Sequence, residues 1–206
     1  MRPMICIDLE TGGLGLNDDI LSISARLLNK DGTPTDTVFS SYVKPTKKPS
    51  KEALLINNIN EEQLAAAPTR KQVAEEYFEW QFKLAEGKQS TPVGHNYCSF
   101  DSPRLNLFLT EEAYKKLFHY HAVDTMVIAK NLSIAGYNQF KSVSLKNLIE
   151  LFGLKVPEGH SRHNADVDTY MTGFVLNKLF TIVYPNIWTR LIRVFNPQYL
   201  GVPVNR

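Results

Sequence analysis

The stretch MICIDLETGG, residues 4–13, decides the fold, because it predicts both a central strand and a site at the end of that strand. Apolar isoleucine and leucine residues alternate with a second set that ends in Asp8 and Glu10, which is typical of a β-strand. The glycine-rich turn that begins at Thr11 then ends the strand. Because Asp8 and Glu10 are two residues apart, the sequence predicts that both carboxylates face the same side of the sheet.

Two carboxylates held this close repel each other, and each raises the pKa of the other unless a cation lies between them. Magnesium and manganese are divalent ions that suit such oxygen ligands. The Asp-x-Glu pattern is common by chance, and exposed acids at a polar strand end are the alternative interpretation. The position of Asp8 and Glu10 at the end of an apolar strand, just before a glycine-rich turn, favours a metal site.

The order of the remaining elements predicts an α/β fold with a mixed sheet flanked by helices. Three early strands are joined by short connections and are followed by alternating strands and helices, which is typical of such a sheet. The segment KPTKKPSK, residues 44–51, predicts a basic, proline-containing loop. We expect one domain over residues 1–182 and an aromatic, basic tail over residues 183–206 that packs on it. The predicted strands are residues 4–10, 20–28, 37–43, 91–95 and 120–123, and the predicted helices are residues 72–85, 102–109, 142–152 and 164–179, with a further helix capped by Asp124.

The composition of the 206-residue chain is that of an ordinary folded protein. Hydrophobic residues make up 43% and charged residues 21%, which argues against a disordered, collagen-like or coiled-coil chain. The net charge of +2 indicates no particular partner. No apolar run approaches the ~20 residues of a membrane span, and the N-terminus does not resemble a signal peptide. Cys6 and Cys98 are too few for a disulfide scaffold, so we expect free thiols in a reducing compartment such as the cytoplasm.

A second acidic position follows the predicted strand at residues 91–95. Asp101 begins the next helix and is followed by Ser102 and Pro103. An ordinary helix N-cap accounts for this aspartate, since proline is favoured in the first turn of a helix. From these residues alone we favour the N-cap, with a site carboxylate as the alternative.

The segment HSRHNADVD, residues 160–168, offers two histidines and two aspartates for a site. On a helix, Asp168 shares a face with the apolar residues that follow it, so it should point at the sheet. Asp166 lies on a more polar face in the first turn, where an acid favours the helix dipole, and we interpret it as structural. His163 would lie about 140° from Asp168 on a helix, so the two side chains could not share a face. We therefore place His163 in the preceding loop, from where its side chain can reach the site. His160 is interpreted as loop surface or a second phosphate contact.

These three segments, in this order, resemble the DEDDh family of 3′→5′ exonucleases, which includes proofreading subunits of bacterial replicative polymerases, ribonuclease T and oligoribonuclease. The resemblance spans roughly residues 4–180. Residues 56–60 carry asparagines where many relatives have a His-Gly pair, and the first motif reads Thr-Gly-Gly where many have Thr-Thr-Gly. The matching residues are Asp8-Leu9-Glu10-Thr11-Gly12 with Leu14, Gly94-His95-Asn96 with Phe100-Asp101, and His163 ahead of Asp168, whose spacing selects His163 over His160.

The resemblance implies a ribonuclease H-like fold, with a mixed five-stranded sheet in which strand 2 is antiparallel. It implies hydrolysis of phosphodiester bonds from the 3′ end of single-stranded DNA, with release of nucleoside 5′-monophosphates by a two-metal mechanism. Two Mg²⁺ ions, for which Mn²⁺ can substitute, would be held by Asp8, Glu10, Asp101 and Asp168, with Asp8 bridging both ions. His163 would take the proton of the attacking water, because an imidazole pKa near 6.5 allows this at neutral pH.

The resemblance also implies how a 3′ end is bound. Backbone groups in the turn after the first strand are expected to meet the terminal 3′-hydroxyl. Two apolar side chains are expected to stack on the last bases or wedge them apart, with core packing as an equal alternative for each. A neighbouring histidine and asparagine are expected to bond phosphate or sugar. In chain order, these substrate-binding residues are Thr11, Gly12, Leu14, His95, Asn96 and Phe100.

The expected partner is the 3′ end of a single-stranded nucleic acid, with DNA favoured over RNA. A DNA polymerase or another replication protein is a candidate protein partner. One alternative is an exoribonuclease or oligoribonuclease that acts on RNA 3′ ends. An alternative of another class is a catalytically idle module that docks on a polymerase, but the presence of all four acids and the histidine argues against it.

Overall fold

The computed structural model describes residues 2–137, 139–157 and 164–183, and five of its strands form one mixed sheet. The strands are β1 (Met4–Thr11), β2 (Ile20–Leu28), β3 (Pro34–Tyr42), β4 (Thr91–Gly94) and β5 (Val123–Asp124). Their order in the sheet is β3-β2-β1-β4-β5, with β2 antiparallel to both neighbours and β4 parallel to β1 and β5. The predicted α/β fold and its antiparallel second strand are confirmed.

Helices cover both faces of this sheet. The helices of the described residues are α1 (Lys51–Asn57), α2 (Glu61–Ala66), α3 (Arg70–Leu84), α4 (Asp101–Leu109), α5 (Glu111–Leu117), α6 (Thr125–Ile134), α7 (Leu145–Leu151) and α8 (Ala165–Val183). Apolar residues of α3, α4 and α5 share one cluster with β1 and β2. On the opposite face α8 packs on the sheet and against α6 and α7. Within the described ranges, no helix is both long and apolar enough to cross a lipid bilayer.

Three short helices, α1, α2 and α5, were not predicted from the sequence. Each has six or seven residues, so none is long enough to show a clear apolar periodicity. Their sequence signals are caps: the side chains of Ser50, Asn60 and Thr110 each accept a hydrogen bond from a first-turn amide. The basic segment at residues 44–51 is a loop up to Ser50, and α1 begins at its last residue.

The two faces of β1 pack against different helices, and this decides where its acids point. Ile5 and Ile7 are buried in the cluster that includes α3 and α4. Cys6, on the other face, is buried in a cluster with Leu176 of α8. Because Asp8 alternates with Ile7 and shares the face of Cys6, its carboxylate lies on the α8 side of the sheet, as does that of Glu10.

The orientation of α8 differs from the sequence prediction in one respect. The sequence predicts that Asp168 and the apolar residues of its face, Met171, Val175 and Leu179, point at the sheet. Instead these three apolar residues cluster with α6 and α7, whereas Leu176 meets the sheet. The prediction for Asp168 itself holds, and its apolar neighbours pack elsewhere because α8 is apolar on two adjacent sides, one of which is covered by helices. Asp168 lies in the first turn of α8, where its carboxylate still reaches β1.

A glycine is required where β4 ends. A Cβ atom at Gly94 would lie 2.8 Å from the Cβ of Tyr97 and 3.0 Å from the carbonyl oxygen of Ile7, which is too close for ordinary packing. The backbone of the loop after β4 therefore approaches β1 directly. This close approach carries residues 95–101 past the end of β1 and its two acids.

The carboxylate of Asp124 holds this loop against the start of α6. Its Oδ2 accepts a hydrogen bond from the amide of Cys98 at 3.1 Å. Its Oδ1 accepts from the amides of Asn96 at 3.0 Å, Met126 at 3.0 Å and Val127 at 3.3 Å. The predicted helix cap at Asp124 is confirmed, and the same side chain also fixes the loop that leads to Asp101.

Replacement of Asp124 by alanine removes the acceptor of all four amides. Since a buried amide without a partner costs about 1–3 kcal/mol, we expect Asp124→Ala to lower the free energy of unfolding by roughly 3 kcal/mol in urea denaturation. Asp36→Ala, at an exposed position of β3, is the control and should change it by less than about 0.5 kcal/mol. Equal stability of the two variants would contradict the role given to Asp124.

Candidate metal centre

Three carboxylates from two elements meet at the end of β1. Oxygen atoms of Asp8, Glu10 and Asp168 all lie within 4.8 Å of one another. Asp8 and Glu10 belong to β1, and Asp168 belongs to α8 on the adjoining face. The structure therefore brings together three of the four acids that the sequence predicted as metal ligands.

Two polar contacts beside Asp168 hold the first turn of α8 on β2. The hydroxyl oxygens of Thr169 and Ser24 lie 3.3 Å apart and share a buried hydrogen bond. Asp166 forms an ion pair with Arg26 of β2. Because these contacts flank Asp168 along the chain, they fix its position toward β1. The structural interpretation of Asp166 agrees with its ion pair.

Asp101, the fourth predicted ligand, is turned toward β1. It is the first residue of α4 and is buried. Its Oδ1 accepts a hydrogen bond from the amide of Leu9 at 3.1 Å, beyond the point where β4 stops pairing with β1. The N-cap position is occupied by Phe100, which makes no side-chain cap bond. The N-cap interpretation of Asp101 is therefore wrong, because its carboxylate is committed to Leu9 and faces the cleft with the other acids.

Burial and mutual repulsion make this cluster costly to ionise without a cation. Burial and the nearby charge of Asp168 raise the pKa of Glu10 to about 7. Burial, followed by the charges of Glu10, Asp101 and Asp168, raises the pKa of Asp8 well above its usual range. Burial also raises the pKa of Asp101, although the Leu9 amide and the Arg104 charge oppose this. A divalent cation would reverse these shifts, and the clustered oxygen donors fit Mg²⁺ or Mn²⁺.

The acids lie in an open cleft of about 300 Å³. Besides the four acids, His95, Asn96 and Phe100 line it, together with residues of α6 and α7. Burial lowers the pKa of His95 to about 4, so its ring is neutral at pH 7. The Nδ1 atom of His95 lies 2.9 Å from the hydroxyl of Thr125, which orients the ring. The Nε2 atom is buried, so the His95 ring exposes no free nitrogen to a phosphate or sugar, and the predicted contact there stays a prediction.

Backbone groups of Thr11 and Gly12 are engaged within the protein. The side-chain amide of Asn57 donates to the carbonyl of Thr11 at 3.1 Å, and the Ser50 amide donates to that of Gly12 at 3.1 Å. The Gly12 amide itself donates to the carbonyl of Asp19 at 2.9 Å. Each carbonyl keeps a second lone pair for a terminal hydroxyl. Asn57 was not predicted to have this role, although the sequence marked its position as a departure from the family.

The two apolar residues predicted to contact bases are both accessible. Leu14 is 89% exposed at the tip of the loop after β1, so core packing is excluded for it. Phe100 is half-buried and lines the cleft beside Asp101. The backbone of Asn96 adopts a positive φ of 66°. This turns the chain in the loop between β4 and α4. His163, His160 and the tail at residues 184–206 lie outside the described residues.

Known proteins share this sequence pattern and architecture. Residues 5–176 match the family described as Exonuclease. The zinc-bound complex of E. coli exonuclease I with single-stranded DNA has a TM-score of 0.71 and 19% identity, over 97% of this chain and 44% of that chain. Exonuclease X in complex with 5′-overhanging duplex DNA has a TM-score of 0.60 and 23% identity, over 86% of this chain and 91% of that chain.

A third solved structure, cell-death related nuclease 4, has a TM-score of 0.70 and 15% identity, over 88% of this chain and 64% of that chain. At such identities the likeness establishes a shared fold. This chain spans less than half the length of exonuclease I. No curated protein matches its sequence.

The raised pKa of Glu10 predicts that the metal-free protein loses stability as the pH rises. The stabilisation is complete below pH 4.5, the unfolded pKa of Glu10, and is lost as the pH passes its folded value of about 7. In EDTA, between pH 5 and 8, the unfolding free energy of the wild type should fall relative to Glu10→Gln by on the order of 3 kcal/mol. The lowered pKa of His95 makes stability rise with pH instead. This contribution is common to both proteins and cancels in the difference.

Urea denaturation at each pH measures this difference. Glu52→Gln, at an exposed position of α1, is the control and should follow the wild type at every pH. If the unfolding free energies of the wild type and Glu10→Gln change in parallel with pH, ionisation of Glu10 does not cost the folded protein stability, which would contradict the prediction.

Proposed function

The chain belongs to the exonuclease family, and from this premise we propose that it is a metal-dependent 3′→5′ exonuclease acting on single-stranded DNA. One observation carries the proposal. Asp8 and Glu10 near one end of the chain and Asp168 near the other place carboxylate oxygens within 4.8 Å of one another. Acids this close and at least partly buried need a cation to ionise together, and the same cation would activate a phosphodiester for attack.

Single-stranded DNA is favoured as the substrate by what the structural relatives bind. E. coli exonuclease I has been solved with dT13 and with dA16 oligonucleotides. Its architecture is shared over nearly the whole of this chain. The open cleft and the exposed side chain of Leu14 are suited to an unpaired strand end. An exoribonuclease that acts on RNA 3′ ends is the alternative.

We propose that Asp8, Glu10, Asp101 and Asp168 hold two Mg²⁺ ions, with Mn²⁺ as a substitute. Carboxylate oxygens are the ligands that these hard cations prefer, and four carboxylates offset the charge of two divalent ions. When bound, the ions supply Lewis-acid activation of the scissile phosphate and of the attacking water. Without them the cluster repels the DNA backbone, so binding and hydrolysis both require a divalent cation.

The reaction is a displacement at phosphorus. A bond forms between the water oxygen and the phosphorus, and the bond from phosphorus to the O3′ of the preceding nucleotide breaks. The products are a nucleoside 5′-monophosphate and a strand that is one nucleotide shorter with a new 3′-hydroxyl. The Thr11 and Gly12 carbonyls accept a hydrogen bond from the terminal 3′-hydroxyl and so select the strand end. His163 takes the proton of the attacking water.

We also propose that the protein acts in a reducing compartment such as the cytoplasm. Cys6 and Cys98 are both free thiols, and Cys98 is exposed in the loop between β4 and α4. An exposed thiol persists where the surroundings keep it reduced.

Digestion of end-labelled strands tests the proposed function. Four substrates are compared in Mg²⁺ and in EDTA: a DNA strand with a free 3′-hydroxyl, the same strand with a 3′-phosphate, and the two RNA equivalents. We expect stepwise shortening of the unblocked DNA from its 3′ end in Mg²⁺ alone, and none with Asp8→Asn. Cleavage in EDTA or from the 5′ end would contradict the proposal, and faster digestion of RNA would support the alternative.

The two histidines before α8 provide a matched pair of variants. We expect His163→Ala to lower the rate constant roughly 10²–10⁴-fold, because the general base is lost, with little change in DNA binding and with a changed pH profile. His160→Ala should be mild on both measures. Single-turnover kinetics and strand-binding titrations separate the two effects. A loss at His160 as deep as that at His163 would reassign the base.

A further inference from the structure

We infer that Arg104 is a positioning residue that sets the spacing between the two base-contacting side chains, Leu14 and Phe100. The inference rests on the proposed function, because it concerns the DNA end bound at the same site. Arg104 belongs to α4 and is only 6% exposed, so it does not itself present a charge to the DNA. Its effect on the substrate must pass through the groups that it contacts.

The guanidinium group of Arg104 connects two loops that come from different parts of the chain. Its Nη1 donates to the carbonyl of Phe100 at 2.8 Å. Its Nη2 donates to the carbonyl of Leu14 at 2.7 Å and approaches that of Gly15 at 3.3 Å. The planar guanidinium presents its donors in a fixed fork, so these contacts set both a distance and an orientation.

The same group also supports the ring of Phe100. The guanidinium carbon lies 3.8 Å from the centre of that ring, which is close stacking for an arginine on an aromatic ring. Phe100 lines the cleft with Asp8 and Asp101. Arg104 therefore holds both the backbone and the side chain of Phe100 at the edge of the acidic cluster.

The loop that carries Leu14 is rich in glycine. Gly13 and Gly15 flank it, and glycine leaves the backbone free to adopt many conformations. Asp18 closes the loop on itself, since its Oδ2 accepts from the Gly15 amide at 2.7 Å. That contact does not tie the loop to α4, whereas the Arg104 fork does.

Stability alone does not account for an arginine at this position. The Nε atom of Arg104 is buried and has no hydrogen-bond partner among the described residues. A buried donor without an acceptor is unfavourable, and a flexible apolar side chain would avoid it. An arginine that leaves one buried donor unpaired while its other donors join two loops is consistent with a positioning role.

The side chains of Leu14 and Phe100, held in this way, form a platform for the last bases before the strand binds. Bases stack on apolar and aromatic side chains, and the gain is largest when those side chains are already held in the bound arrangement. Loss of the fork would leave the acids in place but disorder the platform. Weaker binding of the strand end, without a slower chemical step, is the expected outcome.

Arg104→Lys is the sharpest variant, because it keeps the positive charge that opposes the pKa rise of Asp101 and removes the fork together with the guanidinium stacking on Phe100. For a single-stranded DNA of ten nucleotides we expect KM to rise roughly five- to tenfold, with kcat within about twofold of the wild type. Arg70→Lys is the matched control. Arg70 also binds a carbonyl, that of Leu107, and lies over the ring of Phe108 at 5.6 Å, but among the described residues it makes no hydrogen bond to the loop of Leu14 or to that of Phe100.

A double-mutant cycle tests whether Arg104 acts through the two side chains. In a Leu14→Ala, Phe100→Ala background, Arg104→Lys should have no further effect on KM, because the platform is already gone. Full additivity, a KM equal to that of the wild type, or a loss confined to kcat would each overturn the inference. If Arg104→Lys does not fold, Arg104→Gln replaces it. Binding is then followed by the fluorescence of 2-aminopurine placed at the 3′ end of the DNA, which gives the same test.

The two proposals fail in different ways. If the wild type shows no metal-dependent shortening of DNA, the proposed function fails. If the wild type is active and Arg104→Lys matches Arg70→Lys in KM, only the role of Arg104 fails.

Discussion

The mutual repulsion of clustered, partly buried carboxylates at the end of β1 is the constraint on which the rest of the site depends. Asp8 and Glu10 occupy the α8 face of β1, and α8 adds Asp168 to them. Burial and neighbouring charge raise the pKa of Glu10 to about 7, so ionisation of this side chain is unfavourable when no cation is bound. The contacts that flank Asp168, from Thr169 to Ser24 and from Asp166 to Arg26, hold this strained arrangement in place.

The backbone around the acids is determined where β4 ends and β1 continues beyond it. Gly94 lets the chain pass close to Ile7, and the Leu9 amide left beyond β4 is taken by Asp101. Asp124 then fixes the intervening loop through its hydrogen bonds to Asn96 and Cys98. Strand pairing, a tight turn and two aspartates with different roles therefore determine the geometry of one edge of the cleft.

The sequence predicted the sheet and the acids of β1 because alternation and spacing are local signals. It could not assign Asp101, since an N-cap and a site carboxylate share one pattern, and only the hydrogen bond to Leu9 separates them. It placed Asp168 toward the sheet correctly but could not show that Met171, Val175 and Leu179 pack on α6 and α7, because two adjacent sides of α8 are apolar. The contacts of Arg104 join residues 90 apart in the chain and leave no local signal.

The most direct test of the shared metal site is calorimetric titration of the wild type with Mn²⁺ near pH 7, in buffers of different ionisation enthalpy. The account predicts saturable binding with release of protons, because Glu10 is partly protonated without the cation. Binding should be greatly weakened by Asp168→Asn and unchanged by Glu52→Gln, at an exposed position of α1. Absence of binding, or equal affinity in all three proteins, would contradict the claim that these carboxylates hold a cation together.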